Sequence, residues 1–167
     1  MKQNLFVVSS NYAYTKDIAV QLAEVFSMRF FDQIELFEFD NMPYSFKEVL
    51  IKNGKDWVKK ELKGIIKSEL EFDNVAFAAS LSFAGNCEDI FYKIKLSNFV
   101  ILLKNIDSSM QINPKDTYNL AESGEIESLQ NIVQKECADI IIDVNKKNSD
   151  QVIAEVLEEI KKYYNVN

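Results

Sequence analysis

The stretch LFVVSSNYAYTKDIAVQLAEVF, residues 5–26, decides the fold of this chain. Its first four residues form a continuous apolar run, which is typical of a strand buried on both faces of a parallel sheet. The apolar residues that follow recur at the spacing of an amphipathic helix, and they are Ile18, Ala19, Leu22, Ala23 and Phe26. The stretch therefore predicts a strand, a seven-residue turn from Ser9 to Thr15, and a helix that begins near Thr15 to Asp17.

Four more short apolar strands alternate with helices along the rest of the chain. The strands are predicted at residues 28–32, 74–80, 99–103 and 138–143. The helices are predicted at residues 33–38, 45–50, 55–70, 89–96, 118–134 and 149–164. This alternation predicts a three-layer α/β/α fold, in which helices cover both faces of a five-stranded parallel sheet with the first strand at its centre. No linker or repeat interrupts residues 1–167, which predicts one domain.

Composition excludes several classes of function. The chain of 167 residues has a formal net charge of −7, and its cluster of Lys59, Lys60, Lys63 and Lys67 has the spacing of a solvated helix face. We therefore expect no nucleic-acid partner. The absence of histidine excludes His-based catalysis and His-ligated metals. Cys87 and Cys137 lack any metal-ligand spacing, which predicts buried thiols in a reducing compartment. No apolar run is long enough for a signal peptide or a membrane span, so we expect a cytoplasmic protein.

Glycine is missing where this type of fold most often needs it. An N-terminal strand, turn and helix is the place where P-loop proteins hold phosphate with the motif G-x-x-x-x-G-K-[ST]. The four glycines of this chain are Gly54, Gly64, Gly85 and Gly124, so the predicted turn has none. The architecture of a phosphate site is therefore predicted without the residues that allow a backbone to wrap around a phosphate.

Three later segments resemble the shikimate kinase family of P-loop kinases. SMRFFDQIEL (27–36) is similar to the family's G-Y-x-F-x-D-x-D-x-x-I, and SFKEVLIKNGKDWVKKE (45–61) to its S-I-x-E-I-F-x-x-x-G-E-x-x-F-R-x-x-E. CADIIIDV (137–144) resembles its penultimate strand, V-A-D-I-V-I-D-T. The resemblance covers nearly the whole chain. It implies that the helices within 33–62 correspond to the substrate-binding subdomain and the polar loop 104–118 to the ATP lid.

The resemblance also assigns the P-loop positions to residues of the wrong kind. It places Ser9, Tyr12 and Tyr14 at the three glycines, Thr15 at the lysine and Lys16 at the serine. Two tyrosines would fill the space of the phosphates. The alignment can be shifted so that Lys16 becomes the P-loop lysine. Asp17 then takes the position of the P-loop hydroxyl that would hold Mg²⁺. We therefore assign no nucleotide-binding residue, and these positions are a degenerate P-loop.

Most positions that match the family's substrate-binding residues also carry residues of another kind. Asp32 matches the first of the family's two aspartates, but Ile34 stands at the second. Lys59 matches a carboxylate-binding arginine, although a point cation does not replace a bidentate fork. Ala79-Ser80-Leu81 replaces a run of three glycines, the lid has no arginine, and a late arginine near the adenine site falls around Asn131. Asp32 and Lys59 are thus the only remnant positions of a catalytic site.

Two hypotheses about function follow. The first is a shikimate-kinase-like protein without kinase activity, which acts as a regulatory module or binds a protein partner or a second copy of itself. It uses no cofactor, no catalytic residue and no metal. The second is a divergent kinase that transfers the γ-phosphate of Mg·ATP to a hydroxyl of shikimate or a related small molecule. Two local questions stay open: whether Asp32 caps a helix or acts as a base, and whether Tyr12 and Tyr14 fill a pocket or contact a partner.

Overall fold

The computed structural model describes residues 2–106, 120 and 124–166. The described residues form one sheet of five strands, which are β1 (Asn4–Ser9), β2 (Arg29–Asp32), β3 (Val75–Ser80), β4 (Asn98–Lys104) and β5 (Ile140–Asp143). The strand order is β2-β3-β1-β4-β5 and every pair is parallel. The predictions of a parallel sheet and of a central first strand are both confirmed.

Seven α-helices connect and cover these strands in the described part of the chain. They are α1 (Tyr12–Phe26), α2 (Gln33–Asp40), α3 (Phe46–Asn53), α4 (Lys55–Glu69), α5 (Phe91–Ser97), α6 (Ile126–Glu136) and α7 (Ser149–Val166). Two short 3₁₀ segments, Leu81–Gly85 and Glu88–Ile90, follow β3. No helix among the described residues has the length and apolar character needed to span a bilayer.

The core is built around the three middle strands. All residues of β1 and β3 are buried, and so are all residues of β4 except the half-buried Lys104. Because successive side chains of a strand point to opposite faces, this burial requires that both faces be covered. Phe6 packs against Phe77 and Phe83 with ring centroids 5.4 and 5.1 Å apart. Cys87 and Cys137 are both buried and free.

The predicted start of α6 is wrong, and the predicted lid lies largely outside the described residues. The helix was expected from residue 118, but it begins at Ile126, and the described Leu120 is not helical. Gly124 and Glu125 form a turn before it, and glycine is a poor helix former. Of the lid-like loop 104–118, Lys104 belongs to β4, and residues 107–118 lie outside the described residues.

The turn after β1 is also shorter than predicted. It consists of Ser10 and Asn11 alone, and α1 begins at Tyr12 instead of near Thr15 to Asp17. Asn11 is the N-cap, because its side-chain oxygen accepts a hydrogen bond from Tyr14 N at 3.1 Å. Asparagine is among the strongest N-cap residues, so it starts the helix one turn early. Asp17 consequently lies in the second turn, where it cannot serve the helix N-terminus as expected.

Candidate functional site

The carboxyl ends of β1, β2 and β3 meet at one edge of the sheet, beside the start of α1. In open parallel sheets, ligands bind in the crevice outside this edge. The strands end there on Ser9, Asp32 and Ser80, and all three residues are buried. The first turn of α1 brings Tyr12 to the same place. The sequence-predicted P-loop positions and Asp32 are therefore brought together by the fold.

The phenol of Tyr12 lies on the Asp32 carboxylate. Its O–H donates to Asp32 Oδ1 at 2.5 Å and lies 3.3 Å from the carbonyl oxygen of Ala78, and its oxygen accepts from Ile34 N at 3.2 Å. Only 5% of Tyr12 is exposed. Burial, followed by the negative charge of Asp32 and the hydrogen bond to it, raises the pKa of Tyr12 well above its usual value. The phenol is therefore a neutral filler of the crevice.

Asp32 is the N-cap of α2. Its Oδ1 accepts hydrogen bonds from Ile34 N at 2.8 Å and Glu35 N at 3.0 Å, in addition to the one from Tyr12. Lys16 Nζ lies 2.9 Å from its Oδ2. The fold thus occupies the lone pairs of this carboxylate with four donors. Of the two roles left open, the geometry is that of a cap.

Lys16 is held by two carboxylates. Besides its contact with Asp32, its Nζ donates a hydrogen bond to Glu35. Burial lowers the pKa of Lys16, but the hydrogen bonds and charges of Glu35 and Asp32 outweigh burial and raise the pKa to about 12. An anionic ligand would have to compete with both carboxylates for this cation.

The N-terminus of α1 is closed by side chains of the chain itself. Asn11 caps Tyr14 N, and its own N–H donates to Ser9 Oγ at 3.1 Å. Ser9 Oγ also lies 2.7 Å from Oγ1 of the buried Thr15, whose backbone N–H donates to Asn11 O at 3.0 Å. No residue from 9 to 17 has a positive φ. A phosphate would have to displace Asn11 from a helix end that already has its cap.

Tyr14 is buried as well, with 6% exposure. Burial raises the pKa of Tyr14, and the negative charge of Asp17 adds to this. Its phenol oxygen has no hydrogen-bond partner among the described residues. Both tyrosines therefore fill the interior, and contact with a partner does not fit their burial.

Two positions that the resemblance assigns to substrate binding lie in the hydrophobic core. Ile34 and Leu81 are buried. The residue that sequence analysis missed is Gln33, which is fully buried between them. Its Nε2 donates to Leu62 O at 3.1 Å and its Oε1 accepts from Ser80 N at 2.7 Å, so it ties α2 to α4 and β3. The available signal was a polar side chain placed between a short strand and an apolar helix start.

Lys59 does not join this cluster. It lies half-buried on α4 and lines a separate cavity of about 280 Å³ with Ser82, Gly85 and the start of α6. Asn131, at the position of the late arginine, lines an open hollow of about 500 Å³ along α6. Within the described residues, no group of three or more Asp, Glu or Cys side chains is arranged to hold a metal ion. Among the described residues, the capped start of α1 and the paired Lys16 do not form a cradle for the phosphates of Mg·ATP.

Solved shikimate kinases share the architecture of this chain. The shikimate kinase of Aquifex aeolicus is 17% identical over 96% of this chain and 98% of its own, with a TM-score of 0.75. The shikimate kinase of Acinetobacter baumannii, solved in complex with shikimate, is 15% identical over 98% of this chain and 95% of its own, also with a TM-score of 0.75. The fold is that of the shikimate kinases.

The likeness extends to other small-molecule kinases and stays at the level of fold. A gluconokinase from Sinorhizobium meliloti is 11% identical over 97% of this chain and 93% of its own, with a TM-score of 0.55. No protein-family model and no curated protein matches the sequence. A shared fold does not by itself carry an activity, so the function of this chain depends on the residues at its site.

Proposed function

We propose that this chain is a non-catalytic, shikimate-kinase-like protein that has lost the binding of ATP and shikimate and serves as a regulatory or partner-binding module. The observation that carries the proposal is the buried phenol of Tyr12 on Asp32, at the edge of the sheet where a kinase of this fold would bind its ligands. A side chain of the chain itself thus fills that crevice.

The nucleotide side of the crevice supports the loss of ATP binding. Phosphate cradles need backbone N–H groups that approach the anion and a free lysine. Here Asn11 caps the helix and Lys16 is paired with Asp32 and Glu35. Binding a triphosphate would require that these contacts be broken without glycine to reshape the turn.

The substrate side supports the loss of phosphoryl transfer. Catalysis of this transfer rests on positioning and on electrostatic clamps. The loss of one such contact typically costs on the order of 10²-fold in rate. Ile34 and Leu81 are buried apolar residues at the positions of two clamps, and Lys59 lines a cavity that does not include Asp32. Several losses at once leave no plausible turnover.

The partner-binding role is supported by apolar side chains exposed around α2 and α3. Phe39 and Ile51 are 72% and 76% exposed, and Met42 and Tyr44 between them are exposed as well. These residues fall in the segment that corresponds to the substrate subdomain. Exposed apolar side chains grouped in one segment are typical of interaction surfaces.

A divergent kinase is the second candidate, and one observation favours it. Lys16 and Asp32 still meet at the ligand-binding edge, 2.9 Å apart. A lysine and an acid are residues that a kinase could use there once a substrate separated them. This candidate requires Mg·ATP as cofactor.

Calorimetric titration with Mg·ATP tests the proposal. We expect no binding at about 100 μM, an affinity that would require roughly −5.5 kcal/mol. A coupled assay with shikimate should stay below about 1 s⁻¹, the low end for kinases, with the Aquifex aeolicus enzyme as the positive control. Binding of Mg·ATP by the wild type that is lost in the Lys16→Met variant would support the divergent kinase instead.

A further inference from the structure

A further cavity, which shares no residue with the Tyr12 cluster, lies between α2, α4 and the end of β2. Its volume is about 360 Å³, within the range of small-molecule sites. Four apolar side chains line it, and they are Phe31, Leu36, Ile65 and Phe72. The rings of Phe31 and Phe72 meet edge to face with centroids 5.5 Å apart and form one wall. The cavity can therefore enclose an apolar body.

Glu69, the last residue of α4, lines the same cavity. It is 1% exposed, and neither of its carboxyl oxygens has a hydrogen-bond partner among the described residues. Buried carboxyl groups in proteins are almost always paired or hydrogen-bonded. No donor among the described residues therefore satisfies this carboxyl group.

The charges around the cavity are negative. Asp40 on α2 and Glu61 on α4 line it together with Glu69, and no lysine or arginine of the described chain does. Arg29 on β2 contacts this wall. Its guanidinium stacks on Phe31 and Phe72 at 5.8 and 5.5 Å and donates to Asp73 O, so it is engaged beside the cavity. Asp40, Glu61 and the ionised form of Glu69, together with the apolar walls, complement a cation with an apolar body.

We propose that this cavity binds a small organic ammonium, with its charged nitrogen at Glu69 and its apolar body between Phe31, Leu36 and Phe72. A primary amine has three N–H donors, which suits two unpaired carboxyl oxygens. The site shares no residue with the Tyr12 cluster, so the proposal does not depend on whether the chain binds ATP.

Binding of an ammonium at this position should release a proton. Burial raises the pKa of Glu69 to about 8, so the free protein holds this group mostly as a neutral carboxyl at pH 7. The bound cation favours the ionised carboxylate. Affinity should therefore rise about tenfold per pH unit between pH 6 and 7.5 and level off above pH 8. Asp40, Glu61 and Arg29 are the other charged groups that face this region.

Calorimetric titration of the full chain with 2-phenylethylamine tests the proposal. We expect saturable binding at pH 8 that is at least about tenfold tighter than that of 2-phenylethanol, which lacks the charge. Glu69→Gln should weaken the binding at least about tenfold and abolish its pH dependence. Glu71→Gln, the same change at an exposed position two residues away, should leave both unchanged.

A second variant fills the cavity without removing the carboxyl group. Gly64 lines the cavity, and a Cβ added there meets nothing within 4 Å. Gly64→Leu should therefore keep the fold, checked by cooperative unfolding, and abolish binding of the amine. The proposal is overturned if the wild type shows no saturable binding up to about 10 mM. Equal affinity for the alcohol, or unchanged binding in Glu69→Gln or in a folded Gly64→Leu protein, would overturn it as well.

Discussion

Tyr12 and Tyr14 are both buried tyrosines of the first turn of α1, and they differ in whether the phenol oxygen has a partner. The hydroxyl of Tyr12 contacts Asp32, Ile34 N and Ala78 O, whereas that of Tyr14 has no partner among the described residues. Tyr12→Phe should lower the free energy of unfolding by about 1.5–3 kcal/mol, because a hydrogen bond to a charged group is lost.

Tyr14→Phe is the matched control for that substitution. It removes the same atom from a site where burial of the hydroxyl brings no hydrogen bond, so it should be neutral or stabilising by up to about 1 kcal/mol. Urea unfolding of both variants measures the difference. Equal losses in the two proteins would show that the contact between Tyr12 and Asp32 does not hold the crevice closed.

Glu69 should make stability depend on pH. Its pKa is about 8 in the folded chain and near 4.5 in the unfolded chain, so between these values the folded state holds the extra proton. The free energy of unfolding must therefore fall as pH rises, by about 1.4 kcal/mol per pH unit, and stop falling above pH 8. The free energy of unfolding of the Glu69→Gln variant should lack this decrease with pH.

The measurement is urea unfolding at several pH values between 5 and 9. The difference between Glu69→Gln and the wild type should grow in favour of the variant up to about pH 8. Other titrating groups cancel in this difference because both proteins contain them. The exposed Glu71→Gln variant should show no such trend, and a flat difference for Glu69→Gln would mean that its carboxyl group is ionised in the folded protein.

At the scale of single elements, the sequence predicted the strands and helices well but misplaced the starts of α1 and α6 and ended α3 three residues too early. The apolar runs and helical spacings are local signals, and they located β1 to β5 and the body of α1. The early start of α1 depends on the side chain of Asn11, which caps the helix. The expectation of a phosphate-binding loop at this point placed the predicted start too late. The late start of α6 at Ile126 depends on the turn at Gly124 and Glu125.

Two glycines at α4 predict opposite effects of the same substitution. Gly64 lies inside the helix, and an added Cβ meets no atom within 4 Å. Gly64→Ala should raise the free energy of unfolding by up to about 1 kcal/mol through helix propensity. Gly54 lies between α3 and α4 with a φ of 82°, so Gly54→Ala should lower it by about 1–2 kcal/mol.

Thermal unfolding of these two variants checks the prediction. The two proteins carry one identical chemical change close together in sequence, so they serve as controls for each other. The prediction fails if Gly64→Ala is destabilising, which would mean that the cavity beside it is less open than the structure indicates, or if Gly54→Ala is tolerated.

At the scale of the whole molecule, the fold could be predicted and most of the site could not. Alternation of apolar strands with helices determines a parallel sheet with few topological alternatives. The site depends on contacts between distant residues, such as Tyr12 with Asp32 and Gln33 with Ser80, which no local period reveals. The resemblance placed Tyr12 and Lys16 at the crevice and indicated that Tyr12 would occupy the space of the phosphates, but it did not indicate the contact of Tyr12 with Asp32 or the burial of Gln33 and Glu69.

Restoring the P-loop residues therefore tests whether the stability of the fold now depends on Tyr12 and Tyr14. The triple variant Tyr12→Gly, Tyr14→Gly and Thr15→Lys supplies the missing residue types. It also removes two buried aromatic side chains and places a lysine at the fully buried Thr15. Loss of a buried aromatic ring costs about 3–5 kcal/mol, so the variant should lose on the order of 6–10 kcal/mol, comparable to the whole stability of a typical domain.

Circular dichroism during thermal unfolding, with Mg·ATP titration of any folded fraction, measures the outcome. The control is Glu24→Gly with Val25→Gly, two glycines at exposed positions of the same helix, which should cost roughly 1 kcal/mol through helix propensity alone. A triple variant as stable as this control would mean that the tyrosines are dispensable fillers. An unfolded triple variant would mean that the crevice is now part of the core, because a phosphate cannot replace the apolar contacts that the two rings supply.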